Sequence, residues 1–149
     1  MENAKPGVGS EFTQAVFSSA THSGCEIPQT ILLVEDEARV RKVTRQVLEA
    51  AGYHVLEART ASDAVRMAAH QQTRLKILIT DVVLPDGNGL DLAAELSVEV
   101  PWLKTVFISG YPENVLTRSA PRSARSCYLA KPFSGDSLIK LVQQVQGEN

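Results

Sequence analysis

The chain has 149 residues and a formal net charge of −2, with 44% hydrophobic and 21% charged residues, all within the range of ordinary globular domains. A chain of this length buries roughly two thirds of its unfolded surface, enough for one core without disulfides or a structural metal. With no apolar run near the roughly 20 residues of a membrane helix, no secretory-type opening, two cysteines (Cys25 and Cys127) at no metal or redox spacing, and no basic block, membrane, zinc and nucleic-acid-binding classes are set aside and a soluble cytoplasmic domain is expected.

Residues 1–28 are rich in Ser, Gly and Thr and lack periodicity. Gly9-Ser10-Glu11-Phe12 resembles translated cloning sites and the rest has the composition of a flexible linker, so the folded domain is expected over residues 29–147. From Thr30 onward, short apolar runs alternate with helix-period segments, the pattern of an α/β fold with a parallel sheet. Ile31-Leu32-Leu33-Val34 suits a strand covered on both faces, and it stops at Glu35-Asp36-Glu37. Val40, Val43, Val47, Leu48 and Ala51 then share one helical face, with Gly52 placed to close the helix. The segment from Tyr53 to Ala58 reads as a second strand. A second helix runs from Ala61 to about His70, capped by Thr60 or Ser62.

Ile77-Leu78-Ile79-Thr80 is a third strand ending in Asp81. Pro85-Asp86-Gly87-Asn88-Gly89 makes a turn before a helix carrying Leu90, Leu92, Ala93 and Leu96. Thr105-Val106-Phe107-Ile108 forms a fourth strand ending in Ser109-Gly110. A short helix is expected around Val115 to Ser119, ended by Pro121. Residues 127–130 make a short fifth strand, followed by Lys131-Pro132 and a last helix capped by Ser134, with Leu138, Leu141, Val142 and Val145 inward. The expected total is five strands and five helices.

In open parallel α/β sheets, ligands bind beyond the carboxyl ends of the strands. Glu35 and Asp36, Asp81, Ser109 and Lys131 all end strands on that edge, and right-handed crossovers bring them together. Two carboxylates about 4 Å apart repel by about 4 kcal/mol at an effective dielectric of about 20, so the cluster calls for a cation. An all-oxygen site without histidine or cysteine suits magnesium, with manganese or calcium as substitutes in vitro. With such an ion on Asp36 and Asp81, and with Lys131 and Ser109 facing the remaining oxygens of a phosphoryl group, the arrangement describes phosphoryl transfer to a carboxylate nucleophile.

These residues together resemble the receiver domains of bacterial response regulators: Glu35-Asp36, then Asp81 with Pro85 and Gly89 behind it, then Ser109-Gly110, then Lys131-Pro132-Phe133, over about Thr30 to Gln146. The resemblance implies a doubly wound, flavodoxin-like sheet of order 2-1-3-4-5, an order for which a receiver of this family is a standing example. It implies Asp81 as the phosphoacceptor, charged by a histidine kinase or a phosphotransfer domain of a two-component phosphorelay. The implied magnesium ligands are Asp36, Asp81 and the backbone carbonyl of Val83, with Glu35 acting through a water. Ser109 and Lys131 are implied to bind the phosphoryl group, with Lys131-Pro132 as a cis peptide. Ser109 and Tyr128 are implied to switch the surface of the fourth helix, fifth strand and fifth helix. The sequence leaves dimerisation undecided, with that same face as the place to look for a homodimer. Ile108-Ser109-Gly110-Tyr111 is similar to receivers attached to hybrid histidine kinases. In this family the positions of Val83 and Tyr111 influence water access to the acyl phosphate.

Each piece has an ordinary reading as well. A strand-end aspartate is commonly a turn or cap residue, a lysine before proline a solvated charge, and Ser109-Gly110 plain turn chemistry. Tyr128 is by default a core aromatic, Trp102 a loop anchor, Cys127 a small buried hydrophobe, and His54 and His70 structural or surface residues. Two other functions remain open: a receiver acting as a phosphorylation-independent binding module, and an aspartyl-phosphate phosphohydrolase. The hydrolase is disfavoured because haloacid dehalogenase-type enzymes place a second acid where this chain has Val83. A flavin-binding domain of the same architecture is opposed by the acidic crevice.

Overall fold

The computed structural model describes residues 29–71, 74–110 and 126–147. Five strands form one parallel sheet: β1 (Thr30–Val34), β2 (His54–Ala58), β3 (Leu75–Asp81), β4 (Lys104–Ser109) and β5 (Ser126–Ala130), in the order β2-β1-β3-β4-β5. The helices among the described residues are α1 (Ala38–Ala50), α2 (Ala61–His70), α3 (Gly89–Glu99) and α4 (Gly135–Gly147). The short helix expected around Val115 to Ser119 lies outside the described residues, as does Tyr111, and α4 is the helix expected as the fifth.

The apolar run of β1 is continuous because both of its faces are covered. Leu32 and Val34 join Leu78, Ala64, Leu92, Leu96 and Phe107 under α2 and α3. Ile31 and Leu33 join Ile77, Ile79, Val106, Leu48, Leu138 and Val142 under α1 and α4. Alternation along each strand therefore divides one hydrophobic run between two cores, as parallel sheets with helices on both sides require.

On α1 the buried face differs from the expected one. Thr44 and Leu48 are buried, whereas Val43 is 59% exposed and Ala51 is exposed. The helical period aligns residues 40, 44, 47 and 48, and Thr44 occupies the inward place because its hydroxyl donates to the Val40 carbonyl at 2.7 Å. A search for apolar residues passes over a threonine that meets its hydrogen-bonding demand within its own helix. Gly52, at φ +101°, closes α1 as expected of a C-terminal glycine. Thr60, not Ser62, caps α2 by accepting from the Asp63 N–H. The Ser134 hydroxyl accepts from the Ser137 N–H at the start of α4. Trp102 anchors its loop through an indole N–H donated to the Leu75 carbonyl at 2.8 Å.

Between β3 and α3 the chain folds into a two-residue ribbon, Val83–Leu84 against Gly87–Asn88, and Asn88 caps α3 by accepting from the Asp91 N–H. Gly89 is required here for space: a Cβ would collide with the Asp81 carbonyl oxygen and lie 2.9 Å from Thr80 Cγ2. Replacing Gly89 with alanine is expected to cost about 1–3 kcal/mol of stability in urea unfolding. It should also impair the site, because the displaced atoms include the main chain of Asp81.

Candidate functional site

The register fixes where the polar strand ends meet. Val34 lies beside Thr80, Asp81 beside Ile108, and Ser109 beside Ala130, so the residues leaving β1, β3, β4 and β5 emerge on one edge of the sheet. An open crevice of about 460 Å³ lies there, lined by Asp36, Asp81, Val83, Ser109, Gly110 and Lys131. Glu35 sits beneath it, 3% exposed, and Asp81 is 6% exposed. Asp36 is exposed at the rim.

The Lys131 ammonium bridges the two buried acids, 3.1 Å from Glu35 Oε1 and 3.0 Å from Asp81 Oδ1. The peptide between Lys131 and Pro132 is cis. Burial pushes the Asp81 carboxyl up to about 7, reinforced by its hydrogen bond and charge repulsion with Glu35 and only partly offset by Lys131. Burial works in the same direction on Glu35, but hydrogen bonds from Asp81, the Glu37 N–H and Lys131 outweigh it and hold this carboxyl below its usual range. For Lys131, burial is outweighed by the two acids, which raise the ammonium above its ordinary value. The pair therefore divides unequally: Glu35 keeps the charge and Asp81 holds a proton readily.

Carboxylate oxygens of Glu35, Asp36 and Asp81 lie within 4.8 Å of one another, a spacing that can hold a metal ion. Three acids against one ammonium leave a local excess of negative charge, and oxygen donors beside an open crevice suit a hard divalent cation that retains water. Val83 is 57% exposed at the wall of the crevice, and Ser109 is buried at the end of β4. Tyr128 stacks on Phe107 with ring centroids 5.3 Å apart and belongs to the core beneath α2 and α3. His54 and His70 are exposed and stand apart from this cluster.

Sequence reasoning passed over the residues that brace the site from outside. Asp86, read as a turn residue, accepts from the N–H groups of Ala61 and Ser62 at 2.8 and 3.0 Å, tying the loop after Asp81 to the start of α2. Arg41, an unremarked helix residue, donates to the main-chain carbonyl of Glu35 at 2.9 Å. Only the fold reveals these partners, since 25 and 6 residues separate the members of each pair and no local pattern marks them.

The sheet order and the acid–lysine cluster at its carboxyl edge define a receiver of the CheY-like fold. A family model for the response regulator receiver domain matches residues 31–143, and the chain belongs to that family, whose place is in two-component signalling. The sensor kinase CckA of Brucella abortus is 36% identical over 116 residues, which cover 78% of this chain and 12% of that protein. The response regulator receiver protein CpdR of the same organism is 33% identical over 117 residues, covering 77% of this chain and 94% of that one. Among solved structures, the receiver domain of the hybrid histidine kinase CckA superposes with a TM-score of 0.67 at 33% identity, covering 78% of this chain and 99% of that one. The chain spans 12% of CckA and 24% of the AlgB regulators of Pseudomonas putida and Pseudomonas syringae. No helix among the described residues is long and apolar enough to cross a membrane.

Proposed function

We propose that the domain accepts a phosphoryl group on Asp81 from the phosphohistidine of a histidine kinase or phosphotransfer domain, in a magnesium-dependent reaction. The bridging of buried Glu35 and Asp81 by the Lys131 ammonium, at the mouth of a crevice that Asp36 and Ser109 complete, carries this reading. A carboxylate oxygen of Asp81 attacks phosphorus. The new P–O bond forms as the P–N bond breaks, and the bonding pair leaves with the imidazole nitrogen. Asp36, Asp81 and the Val83 carbonyl would hold the magnesium ion, with Glu35 acting through a water. When bound, the ion supplies neutralisation of the charge on the phosphoryl oxygens. Lys131 offers its ammonium to one of those oxygens and Ser109 its hydroxyl to another. Positioning is the chief contribution of these side chains, so the domain promotes its own phosphorylation and slow dephosphorylation and turns over no external substrate.

Phosphorylation would draw Ser109 toward the new phosphate and repack Tyr128, whose ring already stacks on Phe107, altering the surface of β5, α4 and the segment before β5. A partner, or a second copy of the chain, would read that surface as a population shift. The test uses the full chain with phosphoramidate as donor. Phosphoryl incorporation, read by mass spectrometry, is expected with magnesium and abolished by a chelator, and millimolar magnesium is expected to raise Tm by a few degrees. Incorporation that is indifferent to the chelator would remove the metal from the reaction.

A further inference from the structure

The acidic turn after β1 leaves the sheet as soon as it begins. The Glu35 N–H still donates to the Ala58 carbonyl at 3.0 Å, but its own carbonyl accepts from the Arg41 guanidinium at 2.9 Å. Arg41 is in turn held from the other side: its Nε–H donates to Glu57 Oε1 on β2 at 3.2 Å, and its side chain is only 17% exposed. One planar fork thus spans the end of β1 and the end of β2 from the first turns of α1, a geometry suited to a guanidinium and not to an ammonium. Arg45 reaches the same glutamate, Nε to Oε2 at 3.1 Å, but without hydrogen-bond alignment, and its other acidic contact is Glu49 at 3.9 Å. Arg45 touches no atom of the acidic turn among these contacts.

Resting on the metal-assisted chemistry proposed above, we infer that Arg41, steadied by Glu57, is a positioning residue that sets the magnesium affinity of the site. It pins the main chain of Glu35 and so aims the carboxylates of Glu35 and Asp36 at Asp81. Those three acids must keep their oxygens within a few ångströms of one another against mutual repulsion, and their observed spacing is at most 4.8 Å. Asp36 is exposed at the crevice rim, and the backbone of the turn is the route by which Arg41 restrains it. The interaction network that orients metal ligands is commonly worth about 10–100-fold in metal affinity.

Isothermal titration of magnesium into the unphosphorylated full chain tests this. Arg41→Ala is expected to raise Kd by about tenfold, Arg41→Lys and Glu57→Gln by less, and Arg45→Gln by less than about twofold. Phosphorylation by phosphoramidate should show the same pattern as a raised half-saturating magnesium concentration with the maximal rate preserved, a split that general destabilisation would not produce. A Kd for Arg41→Ala within about twofold of the parent would overturn the inference and leave the phosphoacceptor reading intact. If Arg41→Ala does not fold, Arg41→Lys and Glu57→Gln decide on the same measurement, and parent-like affinities in both would overturn it. A parent protein that binds no magnesium would defeat the metal-dependent reading and this inference together.

Discussion

Asp81→Asn is expected to abolish phosphoryl incorporation and, in the absence of magnesium, to raise Tm at neutral pH by a few degrees. Both effects come from the same buried carboxyl. Its folded pKa of about 7 stands above the ordinary 3.8, so the folded state binds the proton more tightly than the unfolded chain does. The associated stability is complete below about pH 4 and is lost as pH rises through about 7. Glu35 shifts the opposite way, and its contribution is lost only as pH falls below its ordinary 4.5. Lys131 is raised above 10.5, so its contribution is intact through neutrality. Between about pH 5 and about pH 7.5 the metal-free parent should therefore lose stability while Asp81→Asn stays nearly flat, as read by thermal melts in chelator. Magnesium should reverse the order, because the parent gains a ligand that the asparagine variant binds more weakly. An asparagine variant that incorporates phosphate at the parent rate would remove Asp81 as the acceptor.

Lys131→Ala is expected to slow phosphorylation by phosphoramidate at neutral pH by about a hundredfold, the scale seen when a charge-stabilising donor is removed from a reacting centre. Two effects combine. The ammonium at 3.0 Å from Asp81 is the group that opposes the upward push on that carboxyl, so without it a larger fraction of Asp81 is protonated and unable to attack. The phosphoryl oxygen that Lys131 would meet also loses its cation. The buried acids are left without the cation that bridges them, so the variant should melt below the parent at neutral pH and recover toward it under mildly acidic conditions, where the pair binds a proton. Rate measurements across pH separate the two effects: the protonation component fades as pH rises, and the lost phosphoryl contact persists. A variant that keeps the parent rate and melting temperature would show that Lys131 is only a surface charge.

Much of this protein was legible before folding was considered. The alternation of short apolar runs with helical periods marks the strands, most plainly the central ones, because burial on both faces demands continuous runs such as Ile31 to Val34. Glu35, Asp36, Asp81, Ser109 and Lys131 were legible as strand-end residues, because parallel strands joined by right-handed crossovers must deliver their carboxyl ends to one edge. Tertiary structure alone decided how the charges divide. Glu35 and Asp81 are both acids at strand ends, yet one is held low and the other rises to about 7, a difference made by the hydrogen bond between the two carboxyls, which lowers Glu35 and raises Asp81, and by the Glu37 N–H, which bonds Glu35. It also decided that Thr44 rather than Val43 faces inward on α1, and that Arg41, Glu57 and Asp86 brace the acidic loops. Periodicity and strand position are properties of the local chain and survive in a sequence. Hydrogen-bond partners, desolvation and proton sharing arise only when distant segments exclude water from between them.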